Sequence, residues 1–456
     1  SFTAAGTRWQ RRAEIDDNPL DHDEDVSLFA DPELEARNNQ PLRRFFLEHA
    51  AETLHWLQEE LRLNYVGPSP EPPNRCPRMH NVVPGAKAYV VRFQLALRRL
   101  GATVITGAAV TRLLQENGRI HGVEFSQGGK QHQLRARRGV LLATGDYANN
   151  PEMIARYKGE EYREIEGINP HALGLGHQLA EQVGASLVNM DITYGPELRL
   201  VPRSRRPFQQ WLPASGVASR CMGWLAERMP GWMINRFIKR LLVTWQHPED
   251  ALFQDGAILV NTRGERFVNE LSWPEREMAV ARQPDKVAYL LLDGRLCELY
   301  SHWPKFISTA PDIAYAYVKD YLRLRPDVTL RSTQLDSLCQ QRGIDPRVLK
   351  STIEEFNGHV RDGTTDSLGR PAADFPLETG PWVLLGPVKA YFTTTEGGAE
   401  INQRFQVLDQ QGQPIPGLFA AGQAGLGGMV LWSHGLHIAW AMTSGRLAGI
   451  EMTAES

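Results

Sequence analysis

Two apolar runs in this chain end in small residues: Gly139-Val140-Leu141-Leu142-Ala143-Thr144-Gly145 and Pro416-Gly417-Leu418-Phe419-Ala420-Ala421-Gly422. Such a run is the pattern of a buried parallel strand, and its small-residue end lets the backbone come close to a ligand beyond the strand. A third stretch, Ser433-His434-Gly435-Leu436-His437, opens a helix over Leu436–Ile450 dominated by Ala, Met and Ile. The first-turn amides of such a helix present partial positive charge to any anion placed there. Metal chemistry has no comparable support. Cys76, Cys221, Cys297 and Cys339 are far apart and form no CxxC pair, so no metal site is expected and the four read as reduced core thiols.

The elements that must position these residues follow from period and punctuation. Asp31-Pro32-Glu33-Leu34 gives an N-cap with proline in the first turn, and Phe45, Phe46, Ala50, Leu54, Leu57 and Leu61 recur at helical spacing. A proline-rich break over Gly67–Pro77 ends this pair, and Ala86–Leu100 resumes the helical period up to Gly101. The period then becomes two. Ala102-Thr103-Val104-Ile105 reads as a short strand, and Val110–Leu114, Arg119–Phe125 and Gln131–Arg137 alternate across Asn117-Gly118 and Gly128-Gly129 as an antiparallel meander. From Asp191 to about Pro387 the texture is irregular and rich in tryptophan, which predicts a separate lid region.

At 456 residues the chain is long enough for about three folding units. Lys+Arg 50 against Asp+Glu 53 leaves a net charge of −3, no field to hold a nucleic acid. No apolar run approaches the ~18–20 residues of a membrane helix. Ser1–Thr7 has no leader pattern, so a cytoplasmic protein is expected. The absence of an initiator Met, in what reads as the middle of a fold, predicts an upstream segment.

Ala4-Ala5-Gly6-Thr7-Arg8-Trp9-Gln10, Val140–Gly145 with Asn150-Pro151-Glu152-Met153, Gly256–Glu270 (GAILVNTRGERFVNE) and Val407–Gly449 (VLDQQGQPIPGLFAAGQAG through SGRLAG) occur in this order. Together they resemble the flavoprotein family of fumarate reductase, succinate dehydrogenase and ketosteroid dehydrogenase over nearly the whole chain. The resemblance implies FAD. It places Thr3, Ala4, Ala5, Gly6 and Thr7 beside the flavin, Val110 at the adenine edge, Ala143, Thr144 and Gly145 against the cofactor, and Gly422 and Gln423 near the ribityl chain. Gly435, Leu436 and Ile438 then form the helix start that faces the flavin pyrimidine. One departure is large: the family's opening βαβ unit with its GxGxxG phosphate turn is absent, and no GxGxxG occurs in the sequence. A truncated form, or a separate or missing N-terminal dinucleotide-binding segment, is expected to account for it. Without that unit the sheet is expected to expose apolar surface and an unpaired edge. Asp146 also stands where the family has a second glycine.

The family's dicarboxylate clamp is replaced as well. Its positions are occupied by Pro274, by Thr393 or Thr394, and by Trp432, while the acidic residue and Arg of its proton relay read Asp250 and Phe253. Arg276 is the surviving candidate for an acid or carboxylate contact, although Glu275-Arg276-Glu277 reads equally as a solvated charge run. His434 and Gly435 are candidates to touch flavin or substrate, with His437 beside them. Tyr391 and Tyr194 are candidate proton donors or simply core or lid aromatics. Trp224–Trp245 reads as a lid element, and Arg203, Arg205 and Arg206 as a solvated loop or an anion contact.

These readings imply an α/β protein. Residues 1–192 and 388–456 form a Rossmann-like FAD-binding domain lacking its N-terminal βαβ unit, interrupted by an α+β lid or substrate domain at 193–387. The expected function is FAD-dependent hydride transfer at a C–C bond of a small-molecule, apolar, carbonyl-bearing substrate, not typical fumarate reduction. The alternative is a noncatalytic, flavoprotein-derived binding or scaffold subunit that does not hold FAD.

Overall fold

The computed structural model describes residues 1–202, 211–229, 233, 238–240, 242–244, 246–310 and 313–454. Arg203, Arg205 and Arg206 lie outside the described residues, as do Trp232, Ile234, Arg236, Phe237 and Leu241 of the expected lid element. The remaining chain packs around two buried cores.

The first core joins the two ends of the sequence. Asp31 caps the short helix Pro32–Glu35, its carboxylate accepting from the amides of Glu33 and Leu34. The next helix, Gln40–Glu59, turns Phe46, Ala50, Leu54 and Leu57 fully inward, as their spacing requires. They meet the last helix, Leu436–Ala454, where Phe46 packs edge-to-face on Trp440 with ring centroids 5.4 Å apart. Beneath lie the parallel strands Val140–Leu142 and Pro414–Ala420, in register at Leu418↔Val140, Phe419↔Leu141 and Ala420↔Leu142. Both therefore end on the same side, where Ala143 and Ala421 begin. The meander forms as Ala108–Glu116, Arg119–Gln127 and Lys130–Arg135.

Val140–Leu142 is an edge strand, paired only with Pro414–Ala420 among the described residues. The strand expected at Ala102–Ile105 does not form: Val104 and Ile105 are 62% and 45% exposed and have no strand partner among the described residues. Helix Lys87–Arg99 beside them leaves Val90 69% exposed, and Leu100 just past it 81% exposed. A parallel strand is held by its neighbours, and an apolar segment without one leaves its side chains to solvent.

The second core is built on an antiparallel sheet ordered Glu197–Leu200, Trp382–Phe392, Ala288–Leu292, Ile258–Val260. Strand Trp382–Phe392 runs without a break through position 387, where the sequence reading ended the lid, and its residues up to Phe392 belong to this core. The eleven-residue strand is held on both sides by hydrogen bonds, which a sequence pattern interrupted by Gly386-Pro387 conceals. The GERFVNE motif serves this core. Fully buried Glu270 binds Arg266 at 2.7 Å and Arg370 at 2.8 Å and accepts the Leu259 amide at 3.1 Å. Cys297 and Cys339 are buried, whereas Cys76 is half-buried and Cys221 is exposed on helix Gly216–Glu227; the reading of all four as core thiols is corrected for the last two. No described helix is long and apolar enough to cross a membrane.

Candidate functional site

The crevice beyond the carboxyl ends of parallel strands is the usual ligand position in a doubly wound sheet, and here it is the region beyond Leu142 and Ala420. Ala143, Thr144 and Gly145 are exposed there. Gly145 has φ +78°, a left-handed conformation that costs a glycine nothing, and a side chain at that position meets no atom within 4 Å. Across from it, Gly422 (φ +60°) leads into Gln423, whose amide nitrogen donates to Thr394 Oγ1 at 2.8 Å and to the Thr395 carbonyl at 3.1 Å. The Gln423 Oε1 is buried without a hydrogen-bond partner, an acceptor left for a ligand hydroxyl or N–H. Asp146 does not present its charge to the crevice. It is buried, accepts from Thr394 Oγ1 at 2.6 Å and the Thr395 amide at 3.3 Å, and burial raises its pKa against these hydrogen bonds. An exposed small-residue turn, an unsatisfied amide oxygen and an aspartate turned into its own hydrogen bonds fit the ribityl and phosphate portion of FAD.

The third wall is the start of helix Leu436–Ala454. Gly435 has φ +88°, and a Cβ there lies 2.7 Å from Thr3 Oγ1. Thr3 donates its hydroxyl to the His434 carbonyl at 2.6 Å. The Thr3–Thr7 stretch thus reaches the helix start, but Thr3, Ala4, Ala5 and Thr7 are fully buried, and only Gly6 is partly open. Thr7 caps helix Arg8–Arg12 in a reciprocal box with Gln10. Leu436 is buried and Ile438 is 38% exposed on the crevice helix, while Val110 is half-buried in the meander.

Both histidines are paired with carboxylates absent from the sequence-level candidates. Glu71, itself buried, accepts from the Ser433 hydroxyl at 2.7 Å, the His434 amide at 2.8 Å and the His434 Nδ1. His437 Nε2 lies 2.8 Å from fully buried Glu396, which also accepts the Leu431 amide. Burial disfavours the His437 cation, but the charge and hydrogen bond of Glu396, with Asp146 adding to them, outweigh it and raise its pKa.

A cavity of about 540 Å³ is lined by Phe29, Leu34 and Trp432 together with Tyr194, His247, Trp273, Arg276 and Glu277. Trp432 on its wall stands two residues before His434 in the chain and packs edge-to-face on Tyr194 at 5.7 Å. Among the described residues its walls carry five carboxylates, Asp31, Asp191, Glu197, Asp250 and Glu277, against the cations Lys158 and Arg276. Arg276 is 5% exposed, so the reading as a solvated charge run is corrected. Tyr194 lines the cavity, its phenol pushed up by burial to about 12. Tyr391 does not; it lies on strand Trp382–Phe392 opposite Glu197. Of the residues singled out from sequence, Arg276 is thus in the cavity, His434 and Gly435 are at the crevice, and Tyr391 is in neither. Glu277 had a signal, its place beside Arg276; Glu71, in a proline-rich loop, had none.

The FAD binding domain family matches residues 1–217 and 232–435. A probable fumarate reductase of Shewanella frigidimarina is 25% identical over 460 residues, covering 98% of this chain and 66% of that protein. A 3-oxosteroid 1-dehydrogenase of Mycolicibacterium smegmatis is 25% identical over 409 residues, covering 82% and 63% respectively. The chain therefore spans just under two thirds of these relatives. The open conformation of a flavocytochrome c3 fumarate reductase shares the fold with a TM-score of 0.69 at 23% identity, covering all of this chain and 70% of that one.

Proposed function

Because the chain belongs to the FAD binding domain family, we propose that it is a FAD-dependent oxidoreductase acting on a CH–CH bond of a small molecule seated in the cavity beneath Trp432. Bound FAD supplies the hydride donor or acceptor. Ala143, Thr144, Gly145, Gly422, Gln423, Gly435, Leu436 and Ile438 would hold it, with Thr3–Thr7 behind them and Val110 toward the adenine. The first-turn amides of the last helix stabilise negative charge facing them, and Trp432 and Tyr194 exclude water from the cavity.

The observation that carries the substrate class is the cavity's lining. Its one cation near the expected clamp, Arg276, is already paired with Glu277 and Asp250, and the clamp position on its wall, Trp432, carries no charge for a dicarboxylate. Trp432, Trp273, Phe29 and Leu34 favour an apolar, carbonyl-bearing molecule. We further propose that a dinucleotide-binding βα segment, from an adjoining or separate polypeptide, covers the exposed face at Val90, Leu100, Val104 and Ile105 and completes the phosphate site.

The test is an absorbance spectrum of the chain purified with and without its adjoining polypeptide. Flavin bands near ~450 nm with the added segment, bleached by a cyclic enone or its saturated ketone and not by fumarate or succinate, are the expected result. Folded protein without flavin in either preparation overturns the enzyme reading and favours a binding subunit.

A further inference from the structure

We propose that Glu277 is the proton-exchanging carboxyl of the cavity, held in place by Arg276, and that Arg276 itself is a positioning residue. The proposal deepens the oxidoreductase reading and rests on it for the identity of the reaction.

Four of the five guanidinium N–H groups of Arg276 are engaged. Its Nε and Nη2 bind Glu277 Oε1 at 2.9 and 2.6 Å, Nη2 also binds Asp250 at 2.8 Å, and Nη1 donates to the Glu270 carbonyl at 3.1 Å. Its guanidinium lies over the Phe253 ring at 4.7 Å. A guanidinium held by four contacts and stacked on an aromatic face is an anchor, and a guanidinium does not give up its proton in proteins. Glu277 has the opposite character. It lines the cavity and is fully buried, and while Oε1 is engaged, Oε2 has no hydrogen-bond partner. A buried carboxylate oxygen without a partner is costly unless it carries a proton or meets a ligand.

The surrounding charges are mixed. On its own helix, Glu275–Ala281, Arg276 favours the carboxylate, and Glu275 is the other acid. Asp250 faces it from the segment before helix Ala251–Gln254 and opposes ionisation, and the cavity wall adds Glu197, His247, Lys158, Asp31 and Asp191. The strand beneath, Trp382–Phe392, carries Tyr391 and Lys389, the latter paired with Glu166. Burial outweighs Arg276 and pushes Glu277 up to about 7, where proton donation and acceptance are both accessible at neutral pH.

In the reducing direction the Glu277 O–H bond breaks and a C–H bond forms at the substrate carbon next to the one that receives hydride. The electron pair of the substrate double bond takes up that proton, and the accompanying hydride, with its two electrons, is what bound reduced FAD would supply. Glu277 is left as a carboxylate against Arg276 and is reprotonated from solvent. In the oxidising direction Glu277 removes the proton.

The experiment compares wild type with Glu277→Gln and Glu277→Asp. Without flavin, the protonated-carboxyl C=O band is followed by difference infrared spectroscopy from about pH 5 to about pH 9. The expected result is a band lost with a midpoint near 7 in wild type and absent from E277Q. In flavin-loaded protein kcat falls about 10²–10⁴-fold in E277Q with a small change in KM, and E277D recovers part of it. A wild-type band with no component assignable to Glu277, or an E277Q kcat and pH profile matching wild type, overturns the proposal. A titrating Glu277 in loaded protein that turns over no enone or ketone overturns the oxidoreductase reading and the catalytic role with it, while an unloaded chain with the same titration identifies the flavin site as the failing part.

Discussion

Glu71 and His434, 363 residues apart, meet at the start of the last helix, where the buried carboxylate takes the His434 amide, its ring Nδ1 and the neighbouring Ser433 hydroxyl. The contact pins the proline-rich loop to the wall of the crevice and fixes the turn from which Gly435 leads into the helix. Glu71→Ala leaves three donors without their acceptor and is expected to destabilise the chain by about 1–3 kcal/mol. Urea denaturation measures the loss; a midpoint within error of wild type would mean that the carboxylate holds nothing.

Removing the charge of Glu270 has a larger expected effect. The variant Glu270→Gln leaves buried Arg266 and Arg370 short of their shared counter-ion, a loss of about 3–5 kcal/mol by the behaviour of broken buried pairs. Asp366 still holds Arg266, so Arg370 bears most of the cost. Equilibrium unfolding of the two variants, E270Q and D366N, ranks them, with E270Q the weaker fold.

The pair His437 and Glu396 gives a pH dependence of definite sign. The folded pKa of His437 is raised above its ordinary 6.5, so the folded state binds more protons than the unfolded one between those values. Its contribution is fully present below about pH 6.5 and is lost as pH rises through the folded value. Urea midpoints measured across that range fall in wild type, and in His437→Gln this component of the slope disappears.

Gly435→Ala forces a Cβ to 2.7 Å from Thr3 Oγ1 in a backbone conformation of φ +88°. A stability loss of about 1–3 kcal/mol is expected from strain alone. Under the proposed flavin site, affinity read by fluorescence titration of the completed protein is expected to fall with it.

The open edge predicts behaviour in the absence of a covering segment. Val104→Lys places a charge on the exposed apolar stretch beside Ile105 and is expected to reduce self-association in light scattering. The same variant is expected to weaken capture of a dinucleotide-binding segment.

The sequence by itself determined the elements whose signals are local. The helix Gln40–Glu59 follows from the period of Phe46, Ala50, Leu54 and Leu57, the Pro32–Glu35 helix from the Asp31-Pro32 cap, and the two parallel strands from apolar runs ending in small residues. Order and spacing of Ala4–Gln10, Val140–Gly145 with Asn150–Met153, Gly256–Glu270 and Val407–Gly449 were enough to reveal the flavoprotein family. Tertiary structure alone decided which polar residues matter. Glu71, Glu396 and Glu277 carry no motif, and each acquires its character from neighbours: Glu71 from a helix start far along the chain, Glu396 from His437, and Glu277 from the burial that leaves one oxygen unpaired. It also decided the fate of Val104 and Ile105, which have the composition of a strand but lack one among the described residues. The physical reason is range. Backbone period, capping and turn chemistry act within a few residues and are written in adjacent letters, whereas desolvation, ion pairing and parallel strand pairing depend on groups that the fold brings together from distant parts of the chain.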